Sequence, residues 1–279
     1  VKTRMPALFT ACTLALLLAA CGGGAPEEEI AGEAAEATED GGDGILDLVT
    51  KLGESFRDVD NYTLDMEMVA FAESGETEMT MTYEVMDDPQ AAHVTAVMPF
   101  MGETILELTE LSGETTDLTA EELGTSILIV PAEGETLMSN HNGFQEADTP
   151  WVRGVQDTEM LASNDVFDTG HFPRIAEAVA GIAQIEETGT EEVSGVGTTL
   201  VEGTLTEEDV EALEPEQKDA VDELMGGIEG TVEVSAWIAD NGFPMRMEFS
   251  DDAADVSMVF SDLGETSFEI PGEDEITDL

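Results

Sequence analysis

Between residues 62 and 85, apolar and polar positions alternate one for one. Tyr62, Leu64, Met66 and Met68 are interleaved with Thr63, Asp65 and Glu67, and Met79, Met81, Tyr83 and Val85 with Glu78, Thr80, Thr82 and Glu84. A period of two sends the two sets to opposite faces of a strand. With Glu73-Ser74-Gly75-Glu76 as the turn, the segment reads as an antiparallel hairpin. Further strand-like stretches are predicted over 92–100, 104–111, 126–130, 136–139 and 195–204. Beyond Gly230 the alternation returns in Val232, Val234, Ala236 and Ile238. Asn241-Gly242 marks a tight turn, and Met245, Met247 and Phe249 continue beyond it. Segments 256–261 and 267–270 close the series. Trp237 is out of phase with its neighbours and belongs on the opposite sheet face.

Elsewhere the period lengthens. Ile45, Leu48, Val49, Leu52, Phe56 and Val59 share one face at helical spacing, so 45–59 reads as a helix. Residues 175–185 are apolar and Ala-rich and follow Pro173, which predicts a second helix. Thr206-Glu207-Glu208-Asp209 resembles a capping box, with acids where the helix dipole favours them. The helix it opens carries Val210, Leu213, Val221, Leu224 and Met225, with Pro215 restarting it. Helix, many strands, helices and more strands make an α+β fold: an antiparallel sheet with helices on one face. A sheet of this length tends to curl.

The first twenty residues do not fit that domain. Lys2 and Arg4 precede an apolar run from Ala7 to Ala20. It is shorter than the ~20 residues of a membrane-spanning helix, and a basic start before a short apolar core has the form of an export signal. Leu18-Ala19-Ala20-Cys21 resembles the lipobox of bacterial lipoproteins, which implies cleavage before Cys21 and diacylglycerol on its thiol. Residues 22–44 are largely Gly, Ala, Glu and Asp, the composition of a disordered tether. The expected organisation is a signal over 1–20, a lipidated cysteine and tether over 21–44, and one domain over 45–279. The chain is expected outside the cytoplasm, held on a cell membrane by lipid.

Charge narrows the function. Eight Lys and Arg stand against 64 Asp and Glu, a formal charge of −56, and losing Lys2 and Arg4 with the leader takes it to −58. A nucleic-acid partner is excluded by that balance, and anionic headgroups are disfavoured. At ~1 M salt the Debye length shrinks to ~3 Å, so such a surface suits brine. A carboxylate-rich calcium binder is the rival reading, but no D-x-[DN]-x-[DN]-G loop occurs.

Catalytic chemistry is not signalled. Cys12 leaves with the leader and Cys21 carries lipid, so no thiol is left for catalysis or a disulfide. His93, His141 and His171 lack metal-ligand spacing, and neither a G-x-S-x-G elbow nor a phosphate-cradling loop occurs. No enzyme, cofactor or metal is expected. Arg246, one of few cations, is expected to pair with a carboxylate. Methionine is the distinctive residue: Met66, Met68, Met79, Met81, Met98, Met245 and Met247 recur along the strands. Unbranched thioethers suit a wall that accepts varied apolar ligands, and they also serve as ordinary core filling.

One resemblance gives that wall a purpose. The stretches Leu200-Val201-Glu202-Gly203-Thr204-Leu205 and 234–247, with Trp237-Ile238, Asn241-Gly242, Pro244 and Arg246, resemble the LppX/LprG-type lipoproteins of actinobacteria, within the LolA-like lipoprotein-carrier and lipid-binding group. Phe260-Ser261-Asp262-Leu263-Gly264 and Ile270-Pro271 continue it; over the N-terminal half only the pattern matches. The resemblance implies a strongly curved antiparallel sheet, a half-barrel, with helices over its concave face and an apolar cavity for acyl chains between them. The residues then expected to line the cavity are Leu64, Met66, Met68, Met79, Met81, Tyr83, Met98, Val232, Val234 and Ile238. The expected function is binding or carrying lipid or glycolipid acyl chains as a monomer. The alternative is a non-transporting envelope protein that uses the same fold to bind a protein partner or sense envelope state.

Overall fold

Strict alternation produces the longest strands, and their pairing sets the rest of the sheet. In the computed structural model, described for residues 59–72, 75–145, 147–155, 186–213 and 230–279 and for positions 55, 215 and 218, the hairpin is formed by β1 (Tyr62–Ala72) and β2 (Gly75–Asp87). Its register runs from Tyr62↔Val85 to Ala72↔Gly75. The chain continues through β3 (Gln90–Val97), helix α1 (Pro99–Ser112), helix α2 (Ala120–Gly124), β4 (Thr125–Pro131), β5 (Leu137–Ser139) and β6 (Trp151–Arg153). From Glu186 onward come β7 (Glu186–Val193), β8 (Val196–Thr206), helix α3 (Glu207–Ala212), β9 (Thr231–Ala239), β10 (Pro244–Ser250), β11 (Ala254–Ser261) and β12 (Ile276–Asp278).

Among the described residues the twelve strands form one sheet, ordered β12-β6-β5-β4-β3-β2-β1-β11-β10-β9-β8-β7. Two antiparallel meanders meet where β1 pairs with β11, Leu64↔Phe260 and Met66↔Met258. The expectation of a purely antiparallel sheet is corrected at one edge: β12 lies parallel to β6, so the sheet is mixed. The fold is α+β and mostly β, with few helices among the described residues.

Three further segments differ from expectation. Segment 104–111, expected as a strand, is helical. Pro99 occupies the first turn, where its missing N–H is no loss, and Gly113 closes the helix at φ 79°. The strand expected over 92–100 accordingly stops at Val97. Segment 267–270 is not a strand, because the chain after β11 leaves the sheet and crosses its face. The amide of Thr266 donates to Oδ1 of Asn61 at 2.8 Å, and Nδ2 of Asn61 donates to the carbonyl of Thr266 at 3.0 Å and to Asp87 at 2.9 Å. Phe268 then packs on His93, ring centres 5.6 Å apart, and Arg153 holds Glu273 and Asp278. Residues 262–275 thus form a strap from β11 to the β6 edge. The capping box at Thr206 forms in both directions with Asp209, and a second one forms between Thr119 and Glu122. The leader, Cys21, the tether, the helix expected over 175–185 and most of those expected over 45–59 and 210–225 lie outside the described residues.

The main core lies on one sheet face. Phe260 meets Phe243 edge-on at 5.1 Å and Tyr62 at 5.7 Å, with Leu128, Val94, Val201, Leu205 and Met258 buried around them. On the other face Met86, Ala91, Ile129 and Leu137 are buried on the strands that the strap crosses.

Candidate functional site

The register of β1 and β2 brings the expected lining residues into rows. Leu64 faces Tyr83, Met66 faces Met81 and Met68 faces Met79. Across β1 the rows continue as Phe260, Met258 and Val256, then as Met247 and Phe249 on β10, and as Ala236 and Val234 on β9. Val232 and Ile238 share the β9 face of Val234. Nine of the expected residues therefore lie on one face of one sheet, and Met98 follows β3 in the same phase.

That face has a filled end and a looser one. Tyr62, Leu64, Val85, Val232, Val234 and Ile238 are buried in the core. Met66, Met68, Met79, Met81 and Tyr83 are only half-buried. Charge is missing from it. From Tyr62 to Ala70, Thr77 to Val85, Ala92 to Ala96, Ser126 to Val130, Val232 to Ile238 and Ala254 to Phe260, the positions on this face include no Asp, Glu, Lys or Arg. In a chain with 64 acids, every carboxylate of these stretches is turned to the other side. The phenols stay neutral as well. Burial, then the neighbouring Tyr83, pushes Tyr62 up to about 12, and burial raises Tyr83. The Tyr83 hydroxyl donates to the Met81 sulfur at 3.6 Å.

Beside β3, β4 and β5 the same side carries a cavity. Its walls come from Met98, Met101, Ile105, Leu123, Met138 and Phe144, with Ser126, His141, Asn142 and Gln145 adding polar atoms. Helices α1 and α2 supply one wall and touch backbone to backbone. A Cβ on Gly102 would lie 1.7 Å from the Ala120 carbonyl oxygen, and one on Gly124 2.2 Å from that of Met98. The cavity holds about 170 Å³ and is partly open to solvent. An apolar hole of ~150 Å³ takes one benzene, so this space fits the end of an acyl chain rather than a whole lipid. Of the residues expected from sequence only Met98 lines it. Met101, Ile105, Leu123, Met138 and Phe144 are not singled out by the sequence pattern. The helical spacing of Met101 and Ile105 is the available signal, masked where 104–111 reads as a strand.

The opposite face mixes carboxylates with apolar residues such as Trp237, Leu200 and Val259. Trp237 lies there, as its phase requires, and its Nε1 donates to Glu191 at 2.8 Å. The Arg246 guanidinium sits 4.6 Å from the Trp237 ring centre and pairs with Glu248. Its Nε is buried without a hydrogen-bond partner. His93 is 2.5 Å from Glu84, and His141 borders the cavity on the other side. Among the described residues no group of His, Cys, Asp or Glu is placed to hold a metal ion, and no helix is long and apolar enough to cross a membrane.

No protein family matches the sequence, and no curated protein matches it either. Solved structures align with the chain at low identity. The lipoprotein LppX of Mycobacterium tuberculosis aligns over 81% of this chain and 98% of its own, with 14% identity and a TM-score of 0.46. LprF of Mycobacterium bovis aligns over 82% and 97%, with 14% identity and a TM-score of 0.47. The MucA/MucB complex of Pseudomonas aeruginosa aligns over 83% of this chain and 59% of the matched one, with 11% identity and a TM-score of 0.30.

Proposed function

We propose that this chain is a lipid-binding lipoprotein that shelters acyl chains against the methionine-lined face of its sheet. The observation that carries the reading is the uncharged, half-buried surface of Met66, Met68, Met79 and Met81 in a chain so dense in carboxylates. Binding is by burial: each methylene removed from water gains ~0.8 kcal/mol, and flexible thioethers adjust to chains of differing shape. In this reading the sheet curves as a half-barrel and helices close over its concave side. Cys21 carries the membrane anchor, the acidic segment to residue 44 is a spacer, and the domain works outside the cytoplasm. No catalytic step is part of the proposal.

Native mass spectrometry of the chain purified in high salt is the test. Bound lipid is expected, with occupancy reduced at least tenfold in Met66→Trp or Met81→Trp, where a rigid indole fills the groove. Urea unfolding of each variant checks that the sheet is intact. A lipid-free mass and no uptake of offered phospholipid or glycolipid would reject this function in favour of a protein-binding envelope module.

A further inference from the structure

Helix α1 turns apolar side chains outward. At about 100° per residue, Phe100, Leu111, Leu108, Met101 and Ile105 fall within an arc of roughly 140°, and Glu103, Glu107 and Glu110 gather beside its Phe100 edge. Packing uses little of the apolar arc. Gly102 makes the buried contact with α2, while Leu111 is 83% exposed, Leu108 56%, and Phe100 and Met101 39% each. Phe144, 52% exposed, lines the same cavity as Met101 and Ile105. The ridge outside and the wall inside therefore share residues, and an acyl chain leaving the cavity would pass over this rim.

Charge selects the occupant. A second copy would bring −56 against −56, and the acids beside the ridge repel an anionic lipid surface. A basic protein could pair only with Glu103, Glu107 and Glu110 at the border, and the apolar ridge itself carries no charge for it. A zwitterionic bilayer presents no net charge, and its interface accepts Leu, Phe and Met side chains inserted to a shallow depth. We propose that α1 and Phe144 form a membrane-docking ridge for zwitterionic lipid surfaces, with the cavity behind it as the mouth through which an acyl chain enters. This rests on the lipid-binding reading and adds where the lipid comes from.

The test uses the full chain with Cys21→Ser, so that no acyl anchor can hold it. It is floated with phosphatidylcholine vesicles at low and high sodium chloride, and separately offered monomeric lysophosphatidylcholine without vesicles. The chain is expected to float at both salt concentrations. Leu108→Glu/Leu111→Glu, which changes no cavity-lining residue, should float at least tenfold less and take up lysophosphatidylcholine unchanged. Lysolipid uptake without flotation would overturn the ridge and leave the lipid-binding reading standing. Equal flotation of the double variant would overturn it too, as would dimerisation that the double variant abolishes. Flotation with no lysolipid uptake would overturn the mouth together with the lipid-binding reading.

Discussion

Gly102 and Tyr62 illustrate how single residues set the two ends of the site. Gly102 lets α1 rest on the backbone of α2, and a methyl group there has nowhere to go, because what it meets is a carbonyl oxygen. Gly102→Ala is expected to cost about 3 kcal/mol, the upper end for overpacking, measurable as a lower urea midpoint. Tyr62 titrates at about 12 in the fold against an ordinary 10, so the fold favours the neutral phenol. Its stabilising contribution is complete below pH 10 and is lost as pH climbs toward 12. Melting temperature should fall across that window, and Tyr62→Phe should flatten the fall. Some residue-scale facts are legible in the sequence. Trp237 sits on the face its phase assigns, and Arg246 pairs with a carboxylate, because strand alternation and a scarcity of cations leave few other arrangements. Gly102 is not legible: its role depends on Ala120, which nothing in the local sequence brings near.

Elements formed by local rules are readable, and those that depend on distant partners are not. The β1–β2 hairpin, β9, β10 and the Thr206 cap follow from alternation, turn residues and capping chemistry within a few positions. Helix α1 escapes the pattern because its apolar residues also fit a short alternating run, and Pro99 at its start decides for the helix. Strand β7, with Glu186, Glu187, Glu191 and Glu192, has too little apolar character to announce itself; pairing with β8 makes it a strand. The strap is held by side-chain hydrogen bonds rather than by a ladder, so no period marks it. Asn61 is its clasp. Asn61→Ala should leave the buried Thr266 amide without its acceptor, costing about 2 kcal/mol. Limited proteolysis is expected to cut near residues 264–270 before any other site within 230–279; uniform resistance would show that the strap is held elsewhere.

On the scale of the molecule, the described strands keep their carboxylates off one sheet face. Self-repulsion at −56 is largely screened in concentrated salt, so the melting temperature should rise by about 10 °C or more between ~0.1 and ~2 M sodium chloride. A larger rise in calcium chloride at equal ionic strength would instead favour specific cation binding. Fold class is legible at this scale, since the order of periods dictates a sheet with helices, but the strand order is not. That order has a consequence for how the chain is made. The innermost neighbour of β1 is β11, and the clasp joins Asn61 to Thr266, 205 residues apart. A nascent chain emerging from its N-terminus holds β1 to β6 long before the strand that completes them exists, with an open hydrogen-bonding edge and a bare row of methionines. Folding must wait for the last residues to be synthesised, and contacts this distant in sequence make it slow. Under the proposed export of this lipoprotein, such a delay would keep the chain threadable through a translocation pore that passes unfolded polypeptide.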